Sequence, residues 1–208
     1  MLHLETVEPD TLAVLNRLMG VPALRDFSLV GGTALALRYG HRRSIDLDLF
    51  AHGEFDRPLI VSQLTEEFGD AFDFRRDQIK WAAFCTIAGV KVDIVKDPHL
   101  RIMDVEVVNG IRSYADDDIA PMKVEAILHR GKKKDFWDMA ELLREHGLQW
   151  ILDKHRQKYP DNSIAISIPY AITYFTDAED SEAPVSLKDQ TWDGVKASIS
   201  RTVNAFLK

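Results

Sequence analysis

The sequence predicts an α/β (α+β) fold in which a mixed β-sheet core is flanked by helices and followed by a small helical C-terminal part. Two observations support this. Short apolar runs alternate with segments of helical periodicity up to about residue 115, and helical patterns alone follow. The chain has 208 residues, of which 46% are hydrophobic and 28% charged. This composition is typical of a folded domain rather than a disordered chain.

The first half is divided by clear start and stop signals. Asp10 can cap the first helix and Gly20 can end it, while Gly40 ends the second. Apolar and acidic residues alternate along 45–50, as in a strand with one polar face. The predicted elements in order are helix 10–19, strand 27–30, helix 33–39, strand 45–50, helix 57–68 and strands 72–74, 80–87, 90–95 and 107–114, with Ala88-Gly89 as a hairpin turn.

The second half is predicted to be helical. Pro121 is expected to open a helix that runs to about Arg130, because proline is well tolerated in a first helical turn. Gly131 breaks the pattern before a helix over 135–146. The chain therefore divides into a core, 1–115, and a region that completes the active site, 116–208. Three further expectations are a solvated connector at Asp116–Asp118, a stop at Gly147 and a last helix over 191–207.

Composition and charge exclude several functional classes. The formal net charge of −7 argues against broad coating of nucleic acid or anionic membranes. The only cysteine, Cys85, excludes a disulfide within the chain and a cysteine-based zinc site. The longest uncharged apolar stretch, 81–90, is too short to cross a bilayer, and the N-terminus lacks a signal-peptide pattern. We therefore expect a cytoplasmic protein without a membrane partner.

Three acidic residues in apolar strands point to a metal site. Asp46 and Asp48 are two residues apart, so a strand directs both carboxylates to one side and the intervening apolar residues to the other. Asp93 occupies a similar position in the apolar run 90–95. Neighbouring carboxylates repel one another unless a cation compensates them, and hard oxygen ligands favour Mg²⁺ or Mn²⁺. The sequence thus predicts a site for metal-dependent phosphoryl-type transfer.

Gly31-Gly32-Thr33 follows a predicted strand and opens a predicted helix. Glycine allows the backbone to approach a phosphate, and a helix N-terminus offers unpaired N–H groups and the positive end of the helix dipole. A pair of glycines could also form only a tight turn. Together with the Asp46–Asp48 pair on the following strand, however, the pattern favours a phosphate-binding site over a simple turn.

Two blocks of residues carry a family resemblance. The first contains Gly31-Gly32-Thr33, the run Gly40-His41-Arg42, and Asp46-Leu47-Asp48-Leu49-Phe50. The second contains Lys123 and the stretch from Arg130 to Asp138. Over about residues 27–146 the chain resembles the AbiEii/AbiGii-type toxin nucleotidyltransferases, which are part of the DNA polymerase β-like nucleotidyltransferase superfamily.

The resemblance implies a nucleotidyltransferase fold and a Mg²⁺-dependent enzyme that moves an NMP group from an NTP to an acceptor hydroxyl. Gly31, Gly32 and Thr33 would hold the triphosphate. Asp46, Asp48 and Asp93 would bind the metal ions, and Asp93 would also activate the attacking hydroxyl. In the second block, Lys123 would contact the triphosphate with Arg130 and Lys132 nearby, and Asp135 would be the late acidic residue of the family.

Several alternatives remain open from the sequence. The acceptor could be RNA, such as a tRNA 3′ end, for a toxin paired with an antitoxin protein, or a small antibiotic-type molecule. A non-catalytic nucleotide-binding protein is a third reading. Five basic residues against Glu125 alone in 123–134 favour RNA. The sequence also allows less specific roles: surface pairing of Asp46 and Asp48 with Arg42 and Arg43, a solvated run at 132–134, a loop anchor at His41, and an ion pair of Asp138 with Lys134.

Overall fold

The computed structural model describes residues 1–74, 79–161 and 167–208. Its helices are α1 (Pro9–Gly20), α2 (Gly31–Tyr39), α3 (Arg57–Phe68), α4 (Asp116–His129), α5 (Lys133–Lys158), the single turn α6 (Ile168–Ala171) and α7 (Trp192–Phe206). Its strands are β1 (Ser28–Val30), β2 (Leu47–His52), β3 (Phe72–Phe74), β4 (Ala82–Ile87), β5 (Val90–Asp97), β6 (Glu106–Val108) and β7 (Ile111–Ser113). The α/β prediction with a mixed sheet is confirmed.

The strands form one sheet in the order β3-β4-β5-β2-β1-β7-β6. β2 lies between antiparallel β1 and parallel β5, and β4 pairs antiparallel with β5. One row of register partners crosses four strands and contains Val30, Asp48, Asp93 and Phe84. Register partners direct their side chains to the same face of a sheet, so this row brings the two aspartates together.

The opposite face of the sheet belongs to the hydrophobic core. Leu47 and Leu49 in β2, and Val92 and Ile94 in β5, are fully buried. The aspartates between them are only partly buried, as the alternation of apolar and acidic residues predicts. α1 contacts β5 and β7, and α3 contacts β3 and β4. The burial of this apolar face fixes the register of β2 and β5 and thereby the positions of their carboxylates.

The C-terminal helices pack on one another and on α2. α5 contacts α2, α4 and α7. The rings of Trp137 in α5 and Trp192 in α7 are stacked with centroids 5.6 Å apart, and Phe136 packs against Trp192 at 5.7 Å. Buried residues on both sides of residue 115 belong to one core cluster. The division into 1–115 and 116–208 stays a prediction.

Helix α4 corrects the sequence prediction at its start. It begins at Asp116, so Pro121 lies inside the helix, and Asp116–Asp118 form its first turn instead of a solvated connector. Acidic residues are favourable at a helix N-terminus because of the helix dipole. Asp118 is fully buried and accepts hydrogen bonds from the Ile102 N–H at 2.9 Å and from Lys158 Nζ at 2.9 Å. The buried lysine explains why this acidic turn can lie in the interior.

Helix α5 continues beyond its predicted end. Gly147 has the non-helical angles φ 77° and ψ 166°, so the backbone bends there, but the helix resumes and reaches Lys158. Leu148 and Ile151 are buried in this second part, and Lys158 Nζ lies 3.3 Å from Asp97 Oδ2. Tertiary packing therefore extends a helix whose sequence pattern alone is weak.

The predicted strand over 107–114 is a hairpin formed by β6 and β7. Asn109 and Gly110 form its turn with φ of 52° and 80°. Asn-Gly with positive φ at both positions is typical of a two-residue hairpin turn, so the sequence contained a signal that the prediction missed. Other predicted boundaries agree with the structure to within two residues. In the described ranges, no helix combines the length and apolarity needed to cross a membrane.

Candidate active site

A cavity of about 550 Å³ lies over the polar face of the sheet, between the start of α2 and helix α4. Most of the predicted site residues line it: Gly31, Gly32, Thr33, Asp46, Asp48, Asp93, Lys123 and Arg130. Lys132 lines an adjoining cavity, and Asp135 is fully buried beside Lys123. The structure therefore gathers the two sequence blocks, between which residues 51–122 intervene, around one cavity.

The carboxylates on the sheet form the electrostatic centre of the cavity. Asp48 and Asp93 are register partners, and Asp46 lies directly before β2. Burial raises the pKa of Asp48 above its ordinary value, and the negative charge of Asp93 raises it further. Asp46 Oδ2 accepts a hydrogen bond from Lys134 Nζ at 3.1 Å. Asp46 and Asp93 are thus each paired with one lysine, Lys134 and Lys91.

These carboxylates fit a divalent cation by their chemistry. Asp93 Oδ1 is buried and has no hydrogen-bond partner among the described residues, while Asp93 Oδ2 accepts from Lys91 Nζ at 2.6 Å. An unpaired buried carboxylate oxygen is costly, and a metal ion would satisfy it. In the described ranges, no three ligand side chains are already gathered closely enough to hold one ion. Lys91 and Lys134 bind two of the oxygens that a cation would use.

Only glycine fits at position 31, because of its backbone conformation and its close approach to Asp48. Its φ is +69°, a conformation that side chains rarely allow, and a Cβ at this position would lie 2.7 Å from Asp48 Oδ2. Helix α2 starts at this residue, and none of the described side chains caps it. The amides of its first turn are therefore available beside the carboxylates, where a helix N-terminus favours an anion such as a phosphate.

Gly31→Ala is expected to distort the site more than it destabilises the fold. The variant combines backbone strain of about 1–3 kcal/mol with displacement of the Asp48 carboxylate. Gly110→Ala is the matched control, because Gly110 also has a positive φ, +80°, but no neighbour within 4 Å of an added Cβ. In chemical denaturation we expect both variants to lose unfolding free energy, Gly31→Ala at least as much as Gly110→Ala, and we expect loss of nucleotide transfer in Gly31→Ala alone. Equal activity of the two variants would contradict the assignment.

Thr33 holds the loop that leads to the carboxylate strand. Its side chain is buried, and its hydroxyl donates a hydrogen bond to the Asp46 carbonyl oxygen. The hydroxyl also lies 2.8 Å from Ser44 Oγ. Thr33 therefore fixes the backbone of Asp46 in this structure. Its predicted contact with the triphosphate stays a prediction.

A buried ion cluster joins the loop before β2 to α5. Asp138 accepts two hydrogen bonds from Arg42, from Nε at 2.6 Å and from Nη2 at 2.9 Å. Its carboxylate also lies 2.8 Å from His41 Nε2 and 2.8 Å from Lys123 Nζ. Burial would raise the pKa of Asp138, but the charges of Arg42 and Lys123 hold it well below its ordinary value. Asp138 is therefore a buried carboxylate that stays ionised.

Asp135 extends this cluster at the start of α5. It accepts hydrogen bonds from Lys123 Nζ at 3.1 Å, from Arg130 Nε at 3.2 Å and from the Lys132 N–H at 3.2 Å. Burial acts to raise the pKa of Asp135, but Lys123 and then Arg130 lower it, and the resulting pKa lies below its ordinary value. Burial likewise acts to lower the pKa of Lys123, but Asp138 and Asp135 raise it above its ordinary value. Asp135 thus holds Lys123 and Arg130 at the cavity wall.

Sequence reasoning did not identify the partners of four residues. It allowed a surface pair of Asp46 with Arg42 and an ion pair of Asp138 with Lys134 as alternatives, and it placed His41 as a loop anchor without a partner. Instead, Arg42 and Lys123 pair with Asp138, His41 joins them, and Lys134 reaches Asp46. The Gly40-His41-Arg42 run was the available signal, but nothing local shows that its partner lies in α5.

A C-terminal acidic segment, which contains Asp177, Asp180 and Glu182, lies beside the site. A second cavity of about 600 Å³ shares Arg42, Ser44, Asp46, Arg130 and Lys134 with the first. Asp177, Asp180 and Glu182 line its other side together with Lys132. Within the described residues, the acidic stretch therefore faces the basic edge of the carboxylate site.

Solved structures show which class of protein has this fold. A Helicobacter pylori protein assigned as a nucleotidyltransferase superposes with a TM-score of 0.57 and 16% identity over 95% of both chains. MenT4, a nucleotidyltransferase toxin of Mycobacterium tuberculosis, superposes with a TM-score of 0.53 and 12% identity over 92% of this chain and 80% of its own. The fold is therefore that of the nucleotidyltransferases.

Sequence comparison defines the family. Residues 13–202 match the sequence model of the family "Nucleotidyl transferase AbiEii toxin, Type IV TA system". An uncharacterised protein of Aquifex aeolicus is 32% identical over 206 residues, which cover 93% of this chain and 94% of that protein. The chain belongs to the AbiEii family of toxin nucleotidyltransferases and is a nucleotidyltransferase. The resemblance seen in the sequence is confirmed.

Proposed function

We propose that this chain transfers an NMP group from an NTP to the hydroxyl of an RNA acceptor in the cytoplasm, with Mg²⁺ or Mn²⁺, as the toxin of a toxin–antitoxin pair. One observation carries the site assignment: Asp48 and Asp93 are register partners directly beside the uncapped start of α2 at Gly31. This arrangement offers ligands for cations and amides for phosphates within one cavity. Membership in the AbiEii toxin family supports the reaction class and the antitoxin partner.

In this proposal, the chain's residues mainly position and stabilise charge. The first-turn amides of α2 and the side chain of Arg130 would bind the triphosphate, and Asp46, Asp48 and Asp93 would hold the cations. A bound divalent metal would supply neutralisation of the phosphate oxygens. The carboxylate of Asp93 would also accept the proton of the attacking hydroxyl. The hydroxyl oxygen then bonds to the α-phosphorus, and pyrophosphate leaves with the electrons of the broken P–O bond.

RNA is the acceptor that the charge distribution favours. Arg130, Lys132 and Lys134 lie along the edges of the two adjoining cavities. Phosphate groups of a nucleic acid would be attracted to this local cluster even though the whole chain is acidic. A tRNA 3′ end is one acceptor of this class, because it presents a single-stranded hydroxyl. Salt should therefore weaken acceptor binding more strongly than it weakens folding.

Label transfer tests the reaction and its acceptor. Purified protein is incubated with each NTP labelled at the α-phosphate, Mg²⁺, and either total RNA or a pool of small hydroxylated molecules. We expect label in RNA with the wild type, none with Asp93→Asn, and wild-type transfer with Asp73→Asn, an exposed carboxylate on β3. Label in small molecules would replace the RNA proposal with an antibiotic-type activity. NTP binding without any transfer would favour the non-catalytic reading.

A further inference from the structure

The row of register partners that crosses the sheet fixes the order in which the parts of the active site follow one another. Starting at β1, the row passes Val30, which directly precedes Gly31 and α2, then Asp48, Asp93 and finally Phe84 on β4. The phosphate-binding amides therefore lie at one end and Phe84 at the other. In phosphoryl-type transfer, the attacking and leaving oxygens are roughly in line. If pyrophosphate leaves toward α2, the acceptor hydroxyl must arrive from the side of Phe84.

Two exposed aromatic rings lie on that side. Trp81, directly before β4, is 54% exposed and Phe84 is 36% exposed. Their ring centroids are 6.0 Å apart and the rings are nearly perpendicular, at 85°. Both residues line the catalytic cavity. Large aromatic side chains gain most from burial, so a pair left at the mouth of a cavity indicates a surface that a ligand covers.

Cations accompany the aromatic pair. Lys91 is exposed, is the register partner of Thr86 two residues after Phe84, and contacts Asp93 through Nζ at 2.6 Å. Lys80, directly before Trp81, is also exposed. Aromatic faces next to positive charges are the features with which proteins bind single-stranded nucleic acid, since bases stack on the rings and phosphates meet the cations. A small uncharged acceptor would not use these lysines.

We propose that Trp81 and Phe84 form a stacking platform for the 3′-terminal base of a single-stranded RNA acceptor. The inference rests on the proposed function and deepens it. Stacking at Phe84 places the terminal ribose next to Asp93, its register partner, while Lys91 and Lys80 contact the preceding phosphates. The platform selects an unpaired end, because a base inside a duplex cannot present its face to the rings.

The test uses a short single-stranded RNA with 2-aminopurine as its 3′-terminal base, whose fluorescence falls when the base stacks. We expect quenching by the wild type without added NTP and retained quenching with Trp81→Phe. Trp81→Ala and Phe84→Ala should bind the RNA about tenfold or more weakly and lose the quenching. Tyr170→Ala is the matched control, because Tyr170 is 60% exposed, pairs with Tyr174, and does not line the cavity.

The outcomes separate the platform from the reaction itself. NTP affinity, measured separately with Mg²⁺, should be unchanged in both alanine variants. The inference is overturned if the wild type does not quench the probe, or if the alanine variants quench it as the wild type does. If quenching fails while label transfer to RNA persists, the proposed function survives and only the platform is wrong. Quenching equally strong with a duplex end would also contradict the platform.

Discussion

Asp48→Asn is expected to abolish nucleotidyl transfer and, at the same time, to raise the thermal stability of the metal-free protein. The pKa of Asp48 is raised by burial and then by the charge of Asp93, so its ionised form destabilises the fold at neutral pH. Asparagine keeps the shape beside Gly31 and removes the charge. Loss of a group that stabilises the transferring phosphate should reduce the rate by about 10³-fold or more.

Calorimetry and label transfer measured on the same samples test this pair of effects. In the absence of divalent metal, we expect a melting temperature a few degrees above that of the wild type. Asp73→Asn, which neutralises an exposed carboxylate in β3, should change neither quantity. A variant that is inactive and also less stable than the wild type would mean that Asp48 has a structural role instead of the assigned one.

Asp138→Asn is expected to have the largest effect on stability. Asp138 is fully buried and compensates Arg42 and Lys123, so its neutralisation leaves buried cations without their full counter-charge. Breaking such a pair costs about 3–5 kcal/mol, which corresponds to roughly 10 °C in melting temperature for a chain of this size. Glu67→Gln is the matched control, because its pair with Arg17 is half-exposed and should contribute less than about 1 kcal/mol.

Ionisation of the Asp138 carboxylate makes the free energy of unfolding depend on pH. The folded-state pKa of Asp138 lies well below its ordinary value near 3.8. Its contribution is therefore fully present above the unfolded pKa and is lost as the pH falls toward the folded pKa. Denaturation between about pH 5 and 2 should show a shallower decline of unfolding free energy for Asp138→Asn than for the wild type. Parallel pH curves for the two proteins would refute the ionised state assigned to Asp138.

The parts of the site that were predictable depend on local patterns. Asp46 and Asp48 share a strand, and burial of Leu47 and Leu49 on the opposite face fixes where they point. Gly31 follows a strand and opens a helix, which are neighbouring elements in the chain. Only the pairing of β2 with β5 was needed to bring Asp93 to Asp48. Each of these steps follows from short-range periodicity and one strand contact.

The parts that were not predictable depend on tertiary contacts. Arg42 and Asp138 are far apart in the chain, and either could have made a surface pair with a nearer charge. Helix α4 starts five residues before Pro121 because Asp118 in its acidic first turn pairs with Lys158. This lysine lies in the part of α5 beyond Gly147. No pattern within either segment reveals that partner. Trp81, which we propose as part of the platform, likewise lies near the carboxylates only because β4 pairs with β5.

Mn²⁺ binding followed by electron paramagnetic resonance, with and without a non-hydrolysable NTP, tests the central assignment most directly. Mn²⁺ is a hard cation that suits carboxylate ligands and replaces Mg²⁺ in such sites. We predict that the NTP strengthens Mn²⁺ binding to the wild type and to Asp73→Asn, and that Asp48→Asn and Asp93→Asn lose this NTP-dependent binding. Equal Mn²⁺ binding by all four proteins would show that Asp48 and Asp93 do not form the metal site.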